Sequence, residues 1–304
     1  MIRDLYGRSV TSLRVSLTQR CNLHCFYCHR EGELDERDVE MTAAEIERIV
    51  RVVAAFNIRK VKLTGGEPLL RNDIVEIVRR IRSIPKVSEI SMTTNGTLLS
   101  GVARHLKEAG LSRVNVSLDT LKPETYRSIT GVDALENVLA GIQEAWVSGL
   151  RPIKVNMVLL RGVNDDEVWS MIEFTRKRSL ILQLIELESA SEDTFYRRYH
   201  NDLAEIENRL KRKAKKIVIR RMHHRRRYSL ADDAEIEIVK PMHNIEFCRY
   251  CSRMRVTSDG QFKPCLLRCD NHVDFLSPLR DQASNTHLAD LFIKAVKRRK
   301  PYFS

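Results

Sequence analysis

Cys21-Asn22-Leu23-His24-Cys25-Phe26-Tyr27-Cys28 is the stretch that decides how the chain reads. The spacing C-x3-C-x2-C puts three thiolates on one short loop. Three thiolates hold three irons of a [4Fe–4S] cluster and leave the fourth iron without a protein ligand. An open iron can bind and activate a substrate, whereas a closed cluster normally only carries electrons. Zinc asks for four ligands, commonly as paired C-x2-C units, so this run suits a structural zinc site only if His24 or His29 joins it. With no metal at all, the three residues are unconnected thiols on a loop. The aromatic Tyr27 and a nearby glycine-rich segment favour the cluster.

Outward from this loop, short β-rich runs alternate with helical patterns. Residues 13–17 read as a strand leading into the cysteines. Residues 42–56 have helical periodicity, with Thr42 as N-cap and Glu45 three residues later. Residues 61–63 form a strand running into Thr64-Gly65-Gly66-Glu67-Pro68. Helix is expected over 72–84, 99–109, 135–147 and 165–177. Strands are expected over 89–92, 114–118, 153–160 and 181–187, with a turn at Asn95-Gly96. Six strands alternating with helices predict a parallel sheet with right-handed crossovers, an α/β fold. The candidate functional residues fall just after strands, where (β/α) barrels place their active sites. The pattern breaks near residue 190. Residues 209–228 are rich in Lys, Arg and His, and 234–239 alternate like a strand. The expected organisation is therefore a partial barrel over 1–190 and a smaller α+β extension over 191–304.

The extension carries a second cysteine group. Cys248 and Cys251 form a C-x2-C unit, Cys265 follows after thirteen intervening residues, and Cys269 lies four further on. A four-cysteine zinc site is a real alternative here, with Cys269 either a ligand or a spare thiol. Arg253 and Arg255 stand directly beside the metal. Alternating arginines on an extended segment point the same way, which suits an anion; on an ordinary strand they would simply face solvent.

Composition bounds the rest. The chain has 304 residues, 43% hydrophobic, and a net charge of 52 − 40 = +12. No apolar run approaches a membrane span, and the N-terminus lacks a signal peptide's apolar stretch, so the expected location is cytoplasmic. Seven cysteines in such a chain suggest metal or redox use rather than disulfides. The positive balance favours an anionic partner, either a polyphosphate or nucleic acid.

The cysteine loop, with an aromatic residue before its third cysteine, resembles the radical S-adenosylmethionine (SAM) enzymes. With C-x2-C-x13-C and Arg253-Met254-Arg255 added, the chain resembles the GTP 3′,8-cyclases, the molybdenum cofactor biosynthesis protein A family. The segments Leu-Arg-Val-Ser-Leu-Thr-Gln-Arg-Cys, Leu-Thr-Gly-Gly-Glu-Pro-Leu-Leu-Arg, Thr-Thr-Asn-Gly, Arg-Val-Asn-Val-Ser-Leu-Asp and Lys-Val-Asn-Met-Val follow in the family's order. The resemblance implies a partial (β/α)6 radical SAM barrel and two [4Fe–4S] clusters. It also implies cleavage of SAM to a 5′-deoxyadenosyl radical that removes the C3′ hydrogen of GTP. The product is 3′,8-cyclo-7,8-dihydro-GTP, which a downstream cyclic pyranopterin monophosphate synthase consumes. By the same resemblance Cys21, Cys25 and Cys28 hold the SAM cluster, and Tyr27, Gly66 and Ser117 contact SAM. Cys248, Cys251 and Cys265 hold the GTP cluster, which leaves Cys269 spare. Arg14, Lys62, Thr93, Lys154, Arg253, Met254 and Arg255 surround GTP. An electron donor and a homodimer complete the implied partners.

Three departures from the family stand out. Glu188 replaces a methionine near SAM. Gln183 replaces an arginine facing the phosphates, an exchange that a residue from 220–227 is expected to offset. The tail Lys-Arg-Arg-Lys-Pro-Tyr-Phe-Ser lacks paired terminal glycines, so it is expected to fold differently or to substitute its basic residues. Two other readings fit parts of the pattern. A radical SAM peptide-modifying enzyme also carries auxiliary cysteines, usually more of them and without Arg-Met-Arg. A metal-stabilised nucleic-acid-binding protein fits the charge, but aromatics make up only 6% of the chain and do not interleave with the basic runs.

Overall fold

The computed structural model describes residues 2–33 and 39–303. Its twelve strands are β1 (Ser12–Ser16), β2 (Lys60–Thr64), β3 (Glu89–Thr94), β4 (Arg113–Ser117), β5 (Lys154–Leu159), β6 (Ile181–Glu186), β7 (Ala214–Ile219), β8 (Arg226–Leu230), β9 (Glu235–Val239), β10 (Arg253–Val256), β11 (Gln261–Lys263) and β12 (Val273–Asp274). The helices are α1 (Ala43–Ala54), α2 (Ile74–Arg82), α3 (Ala103–Glu108), α4 (Pro123–Thr130), α5 (Leu135–Val147), α6 (Val168–Lys177), α7 (Thr194–Tyr199), α8 (Ala204–Lys213), α9 (Ile245–Arg249), α10 (Leu276–Arg280) and α11 (Asn285–Lys297). The six expected strands are β1–β6, and they lie side by side in chain order, all parallel.

Parallel strands covered on both faces usually read as unbroken apolar runs. These alternate instead. In β1, Leu13 and Val15 are buried in the apolar core, while Arg14 faces a cavity. The same alternation puts Leu63, Met92, Val116 and Met157 in the core and Lys62, Thr93, Ser117 and Lys154 on the cavity wall. One face of the sheet therefore packs against helices and the other encloses a polar chamber, as the two-residue period of a strand allows.

Helix α1 starts at the predicted Thr42 cap, where Thr42 and Glu45 form a reciprocal capping box. The stretch expected as one helix over 99–109 is a short 3₁₀ turn at Leu99–Gly101 followed by α3. Helix α4 was not anticipated; Pro123 at its first turn fixes the chain direction where the sequence reads as a loop. The run at 209–228 is the end of α8, β7, a tight connection and β8, with β7 and β8 antiparallel.

The residues beyond 190 do not form a separate layer. β10 pairs in parallel with β1, and β9 pairs in parallel with β6, so the extension closes both open edges of the six-stranded sheet. An uncovered parallel edge presents a row of unpaired N–H and C=O groups, and both edges are covered here.

Candidate active site

The chamber measures about 950 Å³ and is lined by the inward residues of β1–β6, β9 and β10. Both cysteine triplets open onto it: Cys21, Cys25 and Cys28 from the loop after β1, and Cys248, Cys251 and Cys265 from α9 and the strands beside it. All seven cysteines are free thiols. Cys269 is exposed and does not line the chamber. Among the described residues, no three His, Cys, Asp or Glu side chains are gathered as the ligands of a single ion. Cysteines that bind a cluster each take a different iron, and two sets of three soft thiols fit that chemistry.

The first triplet is held by the motifs around it. Gly66 N–H donates to the Thr18 carbonyl at 2.7 Å and Glu67 N–H to the Arg20 carbonyl at 2.8 Å. A Cβ at Gly66 would lie 2.2 Å from the Arg20 oxygen and 2.5 Å from that of Gln19. Glycine is thus required there by the chain's own close approach, a reason separate from any ligand. The Glu67 carboxylate accepts from Thr94 Oγ1 (2.7 Å), Asn95 N (2.6 Å) and Leu69 N (3.0 Å). Asn95 Nδ2 in turn donates to Asn22 Oδ1 at 2.8 Å, inside the cysteine loop. Tyr27 donates to Asp119 Oδ2 at 2.5 Å, and Asp119 Oδ1 accepts from Val158 N. Burial pushes the Cys25 thiol up to about 12, with Asp119 adding to the effect; iron binding is the change that would make such a thiol a thiolate.

The second triplet sits beside the cations. Arg253 and Arg255 point into the chamber from β10, as the alternation predicts. Met254 does not. Its side chain is fully buried in the apolar core on the opposite face, which leaves only its backbone to serve a ligand in the chamber. Arg255 is the register partner of Arg14, and Arg14 is the partner of Lys62. Lys62 donates to Thr93 Oγ1 at 3.3 Å. Burial, followed by Arg14 and Arg113, pushes the Lys62 ammonium well below its ordinary range, and burial followed by Arg14 and Arg255 acts against the Arg253 charge in the same direction. These side chains form a desolvated concentration of positive charge, which an anion relieves.

On the other side, Lys154 is paired with Glu237 and lies 3.5 Å from Gln183 Oε1. Arg225 reaches Glu237 Oε1 at 2.9 Å. Arg220, Arg221, Arg225 and Arg227 all line the chamber, so the basic stretch expected to offset Gln183 lies on the same wall. Glu188 lines it too. The tail also reaches it: Lys300, Tyr302 and Phe303 are wall residues, and Tyr302 OH donates to the Ala190 carbonyl at 3.1 Å. Ser304, the last residue of the tail motif, lies outside the described residues.

Sequence reading missed four contributors. Glu31 bridges Arg14 and Arg255, Glu237 neutralises Lys154, Asp119 holds Tyr27, and His223 stacks on Phe247 with ring centroids 3.9 Å apart. Glu237 sits in an alternating apolar–acidic run, and that alternation, which sets Glu235 and Glu237 on one face of the strand, was the signal available.

A parallel α/β chamber with a C-x3-C-x2-C loop at its mouth defines a radical SAM enzyme, and residues 15–175 match the Radical SAM superfamily. Residues 180–304 match Molybdenum Cofactor Synthesis C. The chain belongs to the GTP 3′,8-cyclase family. It is 52% identical to the probable GTP 3′,8-cyclase of Thermococcus kodakarensis over the full length of both chains. It is 51% identical to that of Methanothermobacter thermautotrophicus, over 100% of this chain and 99% of the other. Among solved structures, Streptococcus suis SuiB bound to S-adenosylmethionine superposes with a TM-score of 0.63 at 19% identity, over 84% of this chain and 60% of that one. Native anSMEcpe with bound AdoMet gives 0.51 at 21% identity, over 60% and 55%. At such identities these structures establish the fold alone.

Proposed function

We infer that the protein is a radical SAM GTP 3′,8-cyclase, which converts GTP to 3′,8-cyclo-7,8-dihydro-GTP in the first step of molybdenum cofactor biosynthesis. The observation that carries this reading is the meeting, in one chamber, of two free-cysteine triplets from distant parts of the chain, with Arg14, Lys62, Lys154, Arg253 and Arg255 also lining it. A SAM-cleaving enzyme that acted on a neutral substrate would have no use for that charge.

Cys21, Cys25 and Cys28 would hold a [4Fe–4S] cluster, which supplies the electron that cleaves SAM to a 5′-deoxyadenosyl radical. Tyr27, fixed by Asp119, and Ser117 at the end of β4 would pack against SAM, with the Gly66 backbone beside them. Cys248, Cys251 and Cys265 would hold a second cluster at the purine. Arginine forks and lysine point charges are the expected partners of triphosphate oxygens, and Thr93 adds a hydroxyl. Held by its purine and its phosphates, the nucleotide would leave its ribose open to the radical generated at the first triplet. The tail residues Tyr302 and Phe303 also line the chamber, and a filled chamber that excludes water would suit a radical that must react only with its substrate.

Among the described residues no helix is long and apolar enough to cross a membrane, and we expect a cytoplasmic protein. An electron donor, the downstream cyclic pyranopterin monophosphate synthase and a second copy of the chain are its expected partners. The test is anaerobic. Protein reconstituted with iron and sulfide is given SAM, GTP and dithionite, and the products are read by mass spectrometry. 5′-Deoxyadenosine together with a cyclised isomer of GTP is the expected result. Deoxyadenosine alone would keep the radical SAM chemistry and overturn the substrate.

A further inference from the structure

The segment after Cys28 turns back into the chamber instead of leaving it. Glu31, at a left-handed φ of 54°, lines the wall and sends its carboxylate between two arginines. Arg14 Nη1 lies 3.2 Å from Oε1 and 3.3 Å from Oε2, and Arg255 Nη1 lies 3.5 Å from Oε2. Thr64 Oγ1 donates to Oε1 at 3.0 Å. Arg14 and Arg255 are register partners on adjacent strands, so their side chains stand side by side. The three side chains keep only 16%, 13% and 14% of their exposure for Arg14, Glu31 and Arg255. Burial alone would push the Glu31 carboxyl up, but Arg14 and then Arg255 outweigh it and hold it at about 2, so the group is an anion at any working pH.

One carboxylate thus serves two arginines and leaves the trio one positive charge in excess. Arg14 Nε is buried without a hydrogen-bond partner. The contrast with Glu237 is instructive. That carboxylate is fully buried on strand β9, paired within the sheet, whereas Glu31 sits in a single turn outside the sheet. Two residues on, Glu33 anchors the same segment by accepting from Ser258 N (3.0 Å) and Ser258 Oγ (2.6 Å). The segment therefore has a fixed foot at Glu33 and a charge-held tip at Glu31.

We propose that Glu31 is the resident counter-ion of a two-arginine clamp, which exchanges this carboxylate for a phosphate group of the substrate. Carboxylate and phosphate present similar oxygen pairs to a guanidinium fork, so each occupies what the other needs. A polyphosphate brings several charges to the exchange and a monophosphate fewer, so the exchange also selects against short phosphate chains. The identity of the nucleotide rests on the cyclase reading; the exchange itself does not.

The experiment measures binding by anaerobic equilibrium dialysis of the iron-reconstituted protein, with GTP, GMP and inorganic tripolyphosphate as probes. Glu31→Gln is expected to bind tripolyphosphate and GTP about tenfold tighter than wild type, because one buried like charge is removed. GMP should gain more than GTP, so the preference for the longer chain narrows. Glu33→Gln loosens the same segment without freeing the arginines and should stay within about twofold of wild type. Thr64→Val, which keeps the charge and removes one hydrogen bond to Glu31, should shift affinity in the same direction as Glu31→Gln by a smaller factor, and it serves if the first variant folds poorly. Unchanged or weaker tripolyphosphate binding in Glu31→Gln would overturn the proposal, since Glu31 would then be orienting the arginines for the substrate. If tripolyphosphate binds tighter to the variant while GTP binds neither protein, the clamp stands and the GTP reading falls. If no probe binds any of the proteins, the clamp is not an anion site and the proposal fails.

Discussion

Glu237 has no exposed side-chain surface, yet it carries a full charge between Lys154 and Arg225. Burial opposes that charge, and Arg225 and Lys154 overcome it, which holds the carboxyl at about 2 against an ordinary 4.5. The sign of the pH dependence follows. Between about 4.5 and 2 the unfolded chain binds the proton and the folded chain does not. The contribution of Glu237 is therefore complete above about pH 4.5 and disappears as pH falls toward 2. Glu237→Gln should cost about 3–5 kcal/mol at neutral pH, as removal of one partner from a buried pair does. Its stability should also fall less steeply than that of wild type in the acid range, which chemical denaturation across pH measures. Residue-level logic also separates the two triplets. Cys251→Ser should lower the iron content of reconstituted protein from about eight to about four per chain. It should abolish the cyclised product and leave some deoxyadenosine formation. Loss of both products would show that the two sites are not separable.

At the level of elements, β10 assigns opposite tasks to adjacent residues. Arg253 faces the chamber and Met254 the core. Arg253→Ala should weaken GTP binding by about 10- to 100-fold, the loss of a charge-assisted contact, with little change in the unfolding midpoint. Met254→Ala should do the reverse, costing about 2–5 kcal/mol of stability while GTP affinity stays near wild type. Equal effects of both on binding would mean that the strand's alternation is not what presents the arginines. Such local periodicity explains why much of the fold was legible. The β1–β6 order, the Thr42 cap and the bounds of α5 follow from patterns that neighbouring residues set. The pairing of β10 with β1 and of β9 with β6 does not, because no local pattern says which distant strand covers an edge. The site divides the same way. The cysteine spacing and the Arg253–Arg255 alternation are local signals, whereas the contacts of Glu31 with Arg255 and of Lys154 with Glu237 join residues far apart in sequence. The basic run at 220–227 is legible as charge available to offset Gln183, but which of its side chains are enclosed depends on tertiary packing that no local pattern states.

For the whole molecule, the edge pairings bear on whether residues 1–190 and 191–304 are independent units. Each part contains strands that the other completes. β1 and β6 end the first part's sheet, and β10 and β9 cover them. Tyr228, Phe262 and Phe292 from the second part belong to the same apolar cluster as Leu13, Val61 and Leu182 from the first. The site is shared in the same way, since the first triplet lies in one part and the second in the other. Parallel edges left bare would offer unpaired backbone to any neighbouring chain, and the core residues around them would be exposed. A chain ending at residue 190 should therefore aggregate on expression, and so should one beginning at 191. Co-expression of the two should return a soluble complex that loads iron at both triplets, which size-exclusion chromatography with iron analysis would show. A soluble, monomeric 1–190 fragment with a cooperative unfolding transition would mean that the barrel stands alone and that the extension joined a sheet already complete without it.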